Sequence, residues 1–135
     1  MKIKANAMGF SKPLNVKPSI KNYKRTNKML IKTLKMKTLI TKIQALDPSD
    51  DKYVQTTIDM LEAEDAYMDD GFKFLQDTFR LNPQQMKTAE EHLTNSNQLA
   101  EYISYVIQRI KGASDQQIEA DNKRTRQERK ENPKK

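Results

Sequence analysis

Between Asp47 and Leu81 the chain reads DPSDDKYVQTTIDMLEAEDAYMDDGFKFLQDTFRL, and the spacing of its apolar residues decides the fold. Asp47 has the side chain of an N-cap, Pro48 suits the first helical position, and Asp50 puts a carboxylate in the first turn, where the helix dipole favours it. Behind them Val54, Ile58, Leu61, Asp65, Met68, Phe72, Leu75 and Phe79 follow in alternating steps of four and three. That pattern predicts one long helix with a heptad seam. A second row, Tyr53, Met60, Tyr67, Phe74 and Leu81, repeats every seven residues along its flank. The apolar face is therefore broader than a single partner helix needs, and the helix is expected to touch more than one neighbour. Asp65 is the one charged member of the seam. Two readings are open for it: a register or specificity device paired with a partner charge, or a carboxylate that reaches water where the seam is wide.

Working back from Asp47, a second helix runs from about Ile20 or Asn22 to Ala45. Ile20, Tyr23, Leu30, Ile31 and Leu34 share one face at 100° per residue, and Met36, Leu39, Ile40, Ile43 and Leu46 cluster on nearly the opposite one. Either this helix kinks near Lys35, or its first half packs on something other than its own core. The candidate partner-binding residues are accordingly Leu30, Ile31 and Leu34 from this helix, with Tyr53, Met60, Tyr67 and Phe74 from the next. The two surfaces together exceed what one small bundle buries, so self-association or capture of a helical client is expected.

Forward of Leu81, Asn82-Pro83 with Gln85 gives a fresh N-cap signature for a short helix through Met86, Ala89 and Leu93. Thr94 to Asn97 interrupts it. Leu99, Ile103, Val106, Ile107 and Ile110 then form a clean stripe that stops at Gly112. Ser114 with Gln117 caps one more helix, whereas Asn122 to Lys135 has no apolar face and is expected to stay disordered in isolation. The only strand-like alternation is Met1-Lys2-Ile3-Lys4, which suits an edge. The fold class is all-α, a small bundle of three to five helices over residues 20–112. A basic N-terminal arm (1–19), expected to lie outside the core, precedes it, and a charged flexible tail (113–135) follows.

Charge is segregated along the chain. The first 46 residues carry twelve Lys or Arg and no Asp or Glu, the stretch from Asp47 to Lys111 has thirteen acids against six bases, and the formal net charge is +7. A basic segment beside an acidic body pairs with itself or with copies as readily as with nucleic acid. Nucleic acid is the weaker reading, because Tyr23 is the only aromatic near the lysines and bases need rings to stack on. The apolar fraction is 36%, no apolar run exceeds three residues, and cysteine is absent. These exclude a membrane span, a signal-peptide core, disulfides and thiolate metal sites. Three glycines, at 9, 71 and 112, do not make a phosphate-binding loop. His92 has no second His or Cys for a metal, and no nucleophile has a base and orienter. No enzymatic activity, cofactor or metal is expected.

Several of these segments together resemble a family. They are the Lys-rich lead with Gly9-Phe10 and Lys17-Pro18-Ser19, a long helix carrying Asp69-Asp70 and then Phe74-Leu75, and the closing Tyr105-Val106-Ile107-Gln108-Arg109-Ile110-Lys111-Gly112 before a charged tail. The layout is similar to the tail assembly chaperones of long-tailed phages and prophages of low-GC Gram-positive bacteria. The resemblance implies a helical, non-enzymatic protein of the host cytoplasm that coats the tape measure protein, keeps it soluble and recruits tail tube subunits. It also implies absence from the mature virion and a longer product made by ribosomal frameshifting near the end of the short form, here at Pro133-Lys134-Lys135. A phage structural adaptor and a nucleic-acid-binding helical protein are the alternatives.

Overall fold

Five helices make up the computed structural model, which describes residues 1–131: α1 (Ile20–Gln44), α2 (Asp51–Phe79), α3 (Pro83–His92), α4 (Ser96–Ile110) and α5 (Asp115–Glu131). A two-stranded antiparallel hairpin precedes them, with β1 (Lys2–Ile3) paired to β2 (Leu14–Asn15) and Ile3 opposite Leu14. The class is all-α, as expected. α1 and α2 pack along each other, α4 lies against both, α3 packs on the 3-10 turn Asn6–Met8, and α5 touches α4.

Local chemistry sets most of the boundaries. Ser19 caps α1 by accepting from Asn22 N at 3.1 Å. Asn82 and Gln85 form a reciprocal capping box on α3, and Ser114 and Gln117 exchange the same pair of bonds ahead of α5. Gly112 stops α4 at φ +106, a conformation that only glycine adopts without strain. One expectation moves by a turn. The N-cap of α2 is Asp50, whose carboxylate accepts from Lys52 N at 2.8 Å, while Asp47 accepts from Ser49 N at 2.9 Å in the preceding turn. Asp47-Pro48-Ser49 closes its own Asx turn, and the helix begins only after it.

The basic arm belongs to the core, contrary to the expectation that residues 1–19 lie outside it. Ile3, Ala5, Met8 and Val16 are buried in the same cluster as Leu75, Leu99 and Ile103. The alternating start pairs as a strand, turning Ile3 inward and Lys2 and Lys4 outward. α4 then holds the strand by its backbone: Tyr102 Oη donates to Lys4 O at 2.8 Å, and Arg109 Nη2 donates to Lys2 O at 2.8 Å.

α1 runs unbroken from Ile20 to Gln44, so the face swap does not mark a kink. Its inward row is Asn22, Thr26, Met29, Thr33, Met36, Ile40 and Ile43, itself a series of alternating four- and three-residue steps. The first half of that row is polar, which hid it. Asn22 Nδ2 donates to Lys17 O at 2.7 Å, Thr26 Oγ1 to Tyr23 O at 2.6 Å and Thr33 Oγ1 to Met29 O at 3.0 Å. Each buried polar group is thus satisfied without water.

On α2 the inward row is also one residue away from the predicted seam. Tyr53, Thr57, Met60, Glu64, Tyr67, Gly71, Phe74 and Thr78 face inward, half-buried at first and buried from Tyr67 onward, with Tyr67 meeting α1 at Thr33 and Glu64 and Gly71 meeting α4. The predicted seam row is buried only in its second half, at Leu75 and Phe79, where α4 covers it. Phe79 stacks on Tyr102 with ring centroids 6.5 Å apart.

Burial pushes the phenols of Tyr102 and Tyr67 up, the latter opposed by its 2.9 Å hydrogen bond with Thr33, and burial raises Tyr105 as well. Each is harder to ionise in the folded chain, so the fold holds more protons than the unfolded chain in alkaline solution. Their contribution is intact below the ordinary tyrosine value of about 10 and is lost as pH climbs through the raised folded values. Thermal midpoints followed by circular dichroism are therefore expected to stay level up to that pH and fall steadily above it.

Within the charged tail, α5 runs from Asp115 to Glu131; residues 132–135, and with them Pro133-Lys134-Lys135, lie outside the described residues. The helix packs only at its start. Ile118 is buried, and Asp115 accepts from Tyr105 Oη at 2.7 Å and pairs with Arg109 Nε at 3.2 Å. From Glu119 to Gln127 every residue is exposed, and the Arg124–Asp121 pair is local. Ending the chain after Ala120 is expected to change stability by about 0.5 kcal/mol or less. Ending it before Asp115 removes the Ile118 burial and the Asp115 contacts, at a cost of about 1–3 kcal/mol. Denaturant melts of the two truncations check the contrast.

Candidate interaction surface

The outer half of the α1–α2 hairpin has nothing on top of it. Thr33 and Tyr67 are buried and hydrogen-bonded to each other across the two helices, and no residue between them in the chain is buried. Met36, Leu39, Ile40 and Ile43 of α1 and Tyr53 and Met60 of α2 are half-buried along the inner line of the hairpin. The helices hold each other together there without a third layer.

The reason lies in their lengths. α2 has 29 residues and α4 has 15, about 43 Å against about 22 Å at the α-helical rise. α4 begins level with Glu64, to which Ser96 Oγ donates at 3.1 Å. Inward of that point the seam row of α2 meets α4. Outward of it the same row continues bare, with Val54 66%, Ile58 42% and Leu61 51% exposed. On α1 the matching row is Tyr23, Asn27, Leu30 and Leu34. Lys111, at the end of α4, sits 4.6 Å above the Tyr23 ring and donates to Asn27 Oδ1 at 2.6 Å. Leu30 packs against the core, and Leu34, next in the row, is 53% exposed. Leu34, Leu61, Ile58 and Val54 thus form one apolar strip on the α4 side of the hairpin, beyond the reach of α4.

Charge frames the strip. α1 carries eight Lys or Arg and no acid, and α2 carries eight Asp or Glu and two Lys. Among the described residues Lys32–Asp70, at 3.0 Å, is the one ion pair between the two helices. A partner helix laid on the strip meets lysines along one edge and carboxylates along the other, which fixes its direction as well as its position.

The structure divides the residues expected to bind partners. Ile31 and Leu34 are exposed, Ile31 toward the back of α1. Leu30, Tyr53 and Met60 are half-buried within the chain's own packing. Tyr67, bonded to Thr33 of α1, and Phe74 are buried inside the core, out of a partner's reach. Val54, Ile58 and Leu61, read from the sequence as core seam, are the exposed ones. The unequal lengths of the long helix and the stripe from Leu99 to Ile110 carried the signal, because a short helix covers only part of a long seam. Asp65 is exposed in the same row, so its carboxylate reaches water. Exposed His92 hydrogen-bonds Thr88 O through Nδ1 at 2.9 Å and lies over Gly9, where φ is +92 and any Cβ would meet the imidazole.

Among the described residues no group of three or more His, Cys, Asp or Glu is placed to hold a metal ion, and no helix is long and apolar enough to cross a membrane. A family model described as phage tail assembly chaperone proteins, TAC, matches residues 1–128. No curated protein and no solved structure matches the chain.

Proposed function

The chain belongs to the phage tail assembly chaperone family, and from that premise we propose that it holds the tape measure protein soluble during tail assembly and brings tail tube subunits to it. The observation that carries this reading is the bare apolar strip Leu34–Leu61–Ile58–Val54 on a charge-segregated hairpin with no third layer. A tape measure protein is a long helical client, and each amphipathic helical segment of it offers an apolar face that fits such a strip. One chaperone covers a short length of client, so many copies act along it. The proposal assigns no catalytic step to the chain, places it in the host bacterial cytoplasm, and leaves it out of the finished virion. A frameshifted longer product near the end of the reading frame extends the same proposal, with the charged tail as tether to a further domain that engages the tube subunit.

Co-expression with tape measure fragments tests it. The native chain is expected to keep the fragments in the soluble fraction and to co-purify with them. Replacing Val54, Ile58 and Leu61 together with Asp is expected to abolish co-purification while leaving the thermal midpoint close to native, because all three side chains are already exposed. Soluble complexes formed equally well by the triple variant would remove the strip from the proposal. Finding the chain in purified virions would favour the structural adaptor instead.

A further inference from the structure

We infer that the cleft between the N-terminal hairpin and the start of α1 binds an acidic peptide segment of a protein partner. The cleft has a volume of about 860 Å³ and is open on one side. Lys17, Lys21, Arg25 and Arg80 contribute to its walls, and Asp77 is the one carboxylate among the described residues that line it. Asp77 is itself 3.6 Å from Lys73. The cleft therefore presents an excess of positive charge in a concave setting, where field lines concentrate.

Three further features point to an anionic occupant. The N-terminus of α1, a 25-residue helix, opens into the cleft, and its first turn contains no acid to offset the positive end of the dipole. Arg80 ends α2 at φ 55, a left-handed position at which glycine is usual, so a guanidinium stands at the rim where backbone strain alone would favour no side chain. Thr78 is the independent observation. It is only 4% exposed, it lines the cleft, and its hydroxyl has no hydrogen-bond partner among the described residues. A buried hydroxyl left unpaired is costly, and an acceptor entering the cleft supplies what it lacks.

The size and chemistry of the walls select a peptide. The cleft is far larger than a single oxyanion, and Asn15 and Gln76 place side-chain amides among the cations, suited to an extended backbone between carboxylates. No aromatic ring is among the described residues that line it, so bases have nothing to stack on. The cleft lies at the opposite end of α1 from the apolar strip, and the inference stands independently of what the strip binds.

Fluorescence anisotropy of the full-length protein with a labelled oligoglutamate peptide at low ionic strength tests it. Lys17→Gln with Lys21→Gln, both exposed, is expected to weaken binding about tenfold or more through loss of two charge-assisted contacts. Lys37→Gln with Lys42→Gln removes the same charge from the far end of α1 and is expected to leave affinity nearly unchanged. Thr78→Val is expected to raise the thermal midpoint of the free protein and to weaken peptide binding, a combination that loss of structure does not produce. Equal weakening by the two double variants overturns the inference, as does unchanged affinity in Thr78→Val. Tighter binding of an oligothymidylate of matching charge overturns it in favour of nucleic acid.

Discussion

Replacing Leu75 with Ala is expected to destabilise the protein by about 2–5 kcal/mol, a large part of the ~5–15 kcal/mol that holds a domain of this size together. Leu75 has no exposed surface and sits where α2 meets the rest of the core. Removing its isobutyl group loses the transfer energy of the side chain and leaves a cavity that α1 and α4, both fixed by other contacts, do not collapse to fill. Leu61 occupies the same seam two heptads earlier and is 51% exposed. Leu61→Ala is therefore expected to cost no more than about 0.5 kcal/mol. Chemical denaturation of the two variants, measured side by side, checks both the magnitude and the contrast. Similar losses would mean that the outer seam is covered, and the strip proposed for client binding would not exist in the free protein.

The same pair of leucines shows what was legible in the sequence. A period of seven marks a helix and an apolar flank wherever it occurs, and it located α2 correctly. It does not say which of two adjacent rows faces inward, because both the Val54 row and the Tyr53 row repeat every seven residues. The choice is made by neighbours. α1 runs along the Tyr53 row, which α4 shares at Glu64 and Gly71, while α4 is short and covers only the last part of the other row. Capping boxes at Asn82 and Ser114, the stop at Gly112 and the stripe from Leu99 to Ile107 were all readable because each depends on residues within one or two turns.

Two features resisted reading for a shared reason. The inward row of α1 begins with Asn22, Thr26 and Thr33, polar residues that are buried because each bonds to a nearby carbonyl. Their polarity made the exposed Ile20, Tyr23, Ile31 and Leu34, rather than the buried row, look like the packing face of this half. The N-terminal arm likewise has too few apolar residues to announce a core segment, yet Ile3, Ala5 and Met8 are fully buried, since α4 supplies hydrogen bonds to the backbone beside them. The candidate surface inherits this inversion. Of its apolar strip, Leu34 was expected to bind a partner and Val54, Ile58 and Leu61 read as core, whereas Tyr67 and Phe74, expected to bind a partner, are core.

Gly71 tests the close approach of α2 and α4. Glycine in mid-helix costs about 1 kcal/mol relative to Ala, so something must offset it. A Cβ built on Gly71 would stand 2.7 Å from Ile103 Cδ1 and 3.1 Å from Leu99 Cδ2, both nearer than ordinary contact. Ile103 and Leu99 are buried, so their tips have little room to withdraw. Gly71→Ala sets a helix-propensity gain against a clash with the packed methyl tips of Ile103 and Leu99, and the two are expected nearly to cancel. Gly71→Leu has no such balance. Its branched side chain must displace Ile103 and Leu99 together, and the expected loss is about 3 kcal/mol or more, at the upper end of overpacking costs. Ile103→Val removes the Cδ1 atom that is nearest. Combined with Gly71→Ala, it is expected to be more stable than Ile103→Val alone, because the propensity gain remains while the closest contact is gone and only Leu99 Cδ2 has to give slightly. A double-mutant cycle by chemical denaturation reads that coupling directly. Additive effects of Gly71→Ala and Ile103→Val would mean that the helices cross farther apart, and glycine at this position would then need another explanation.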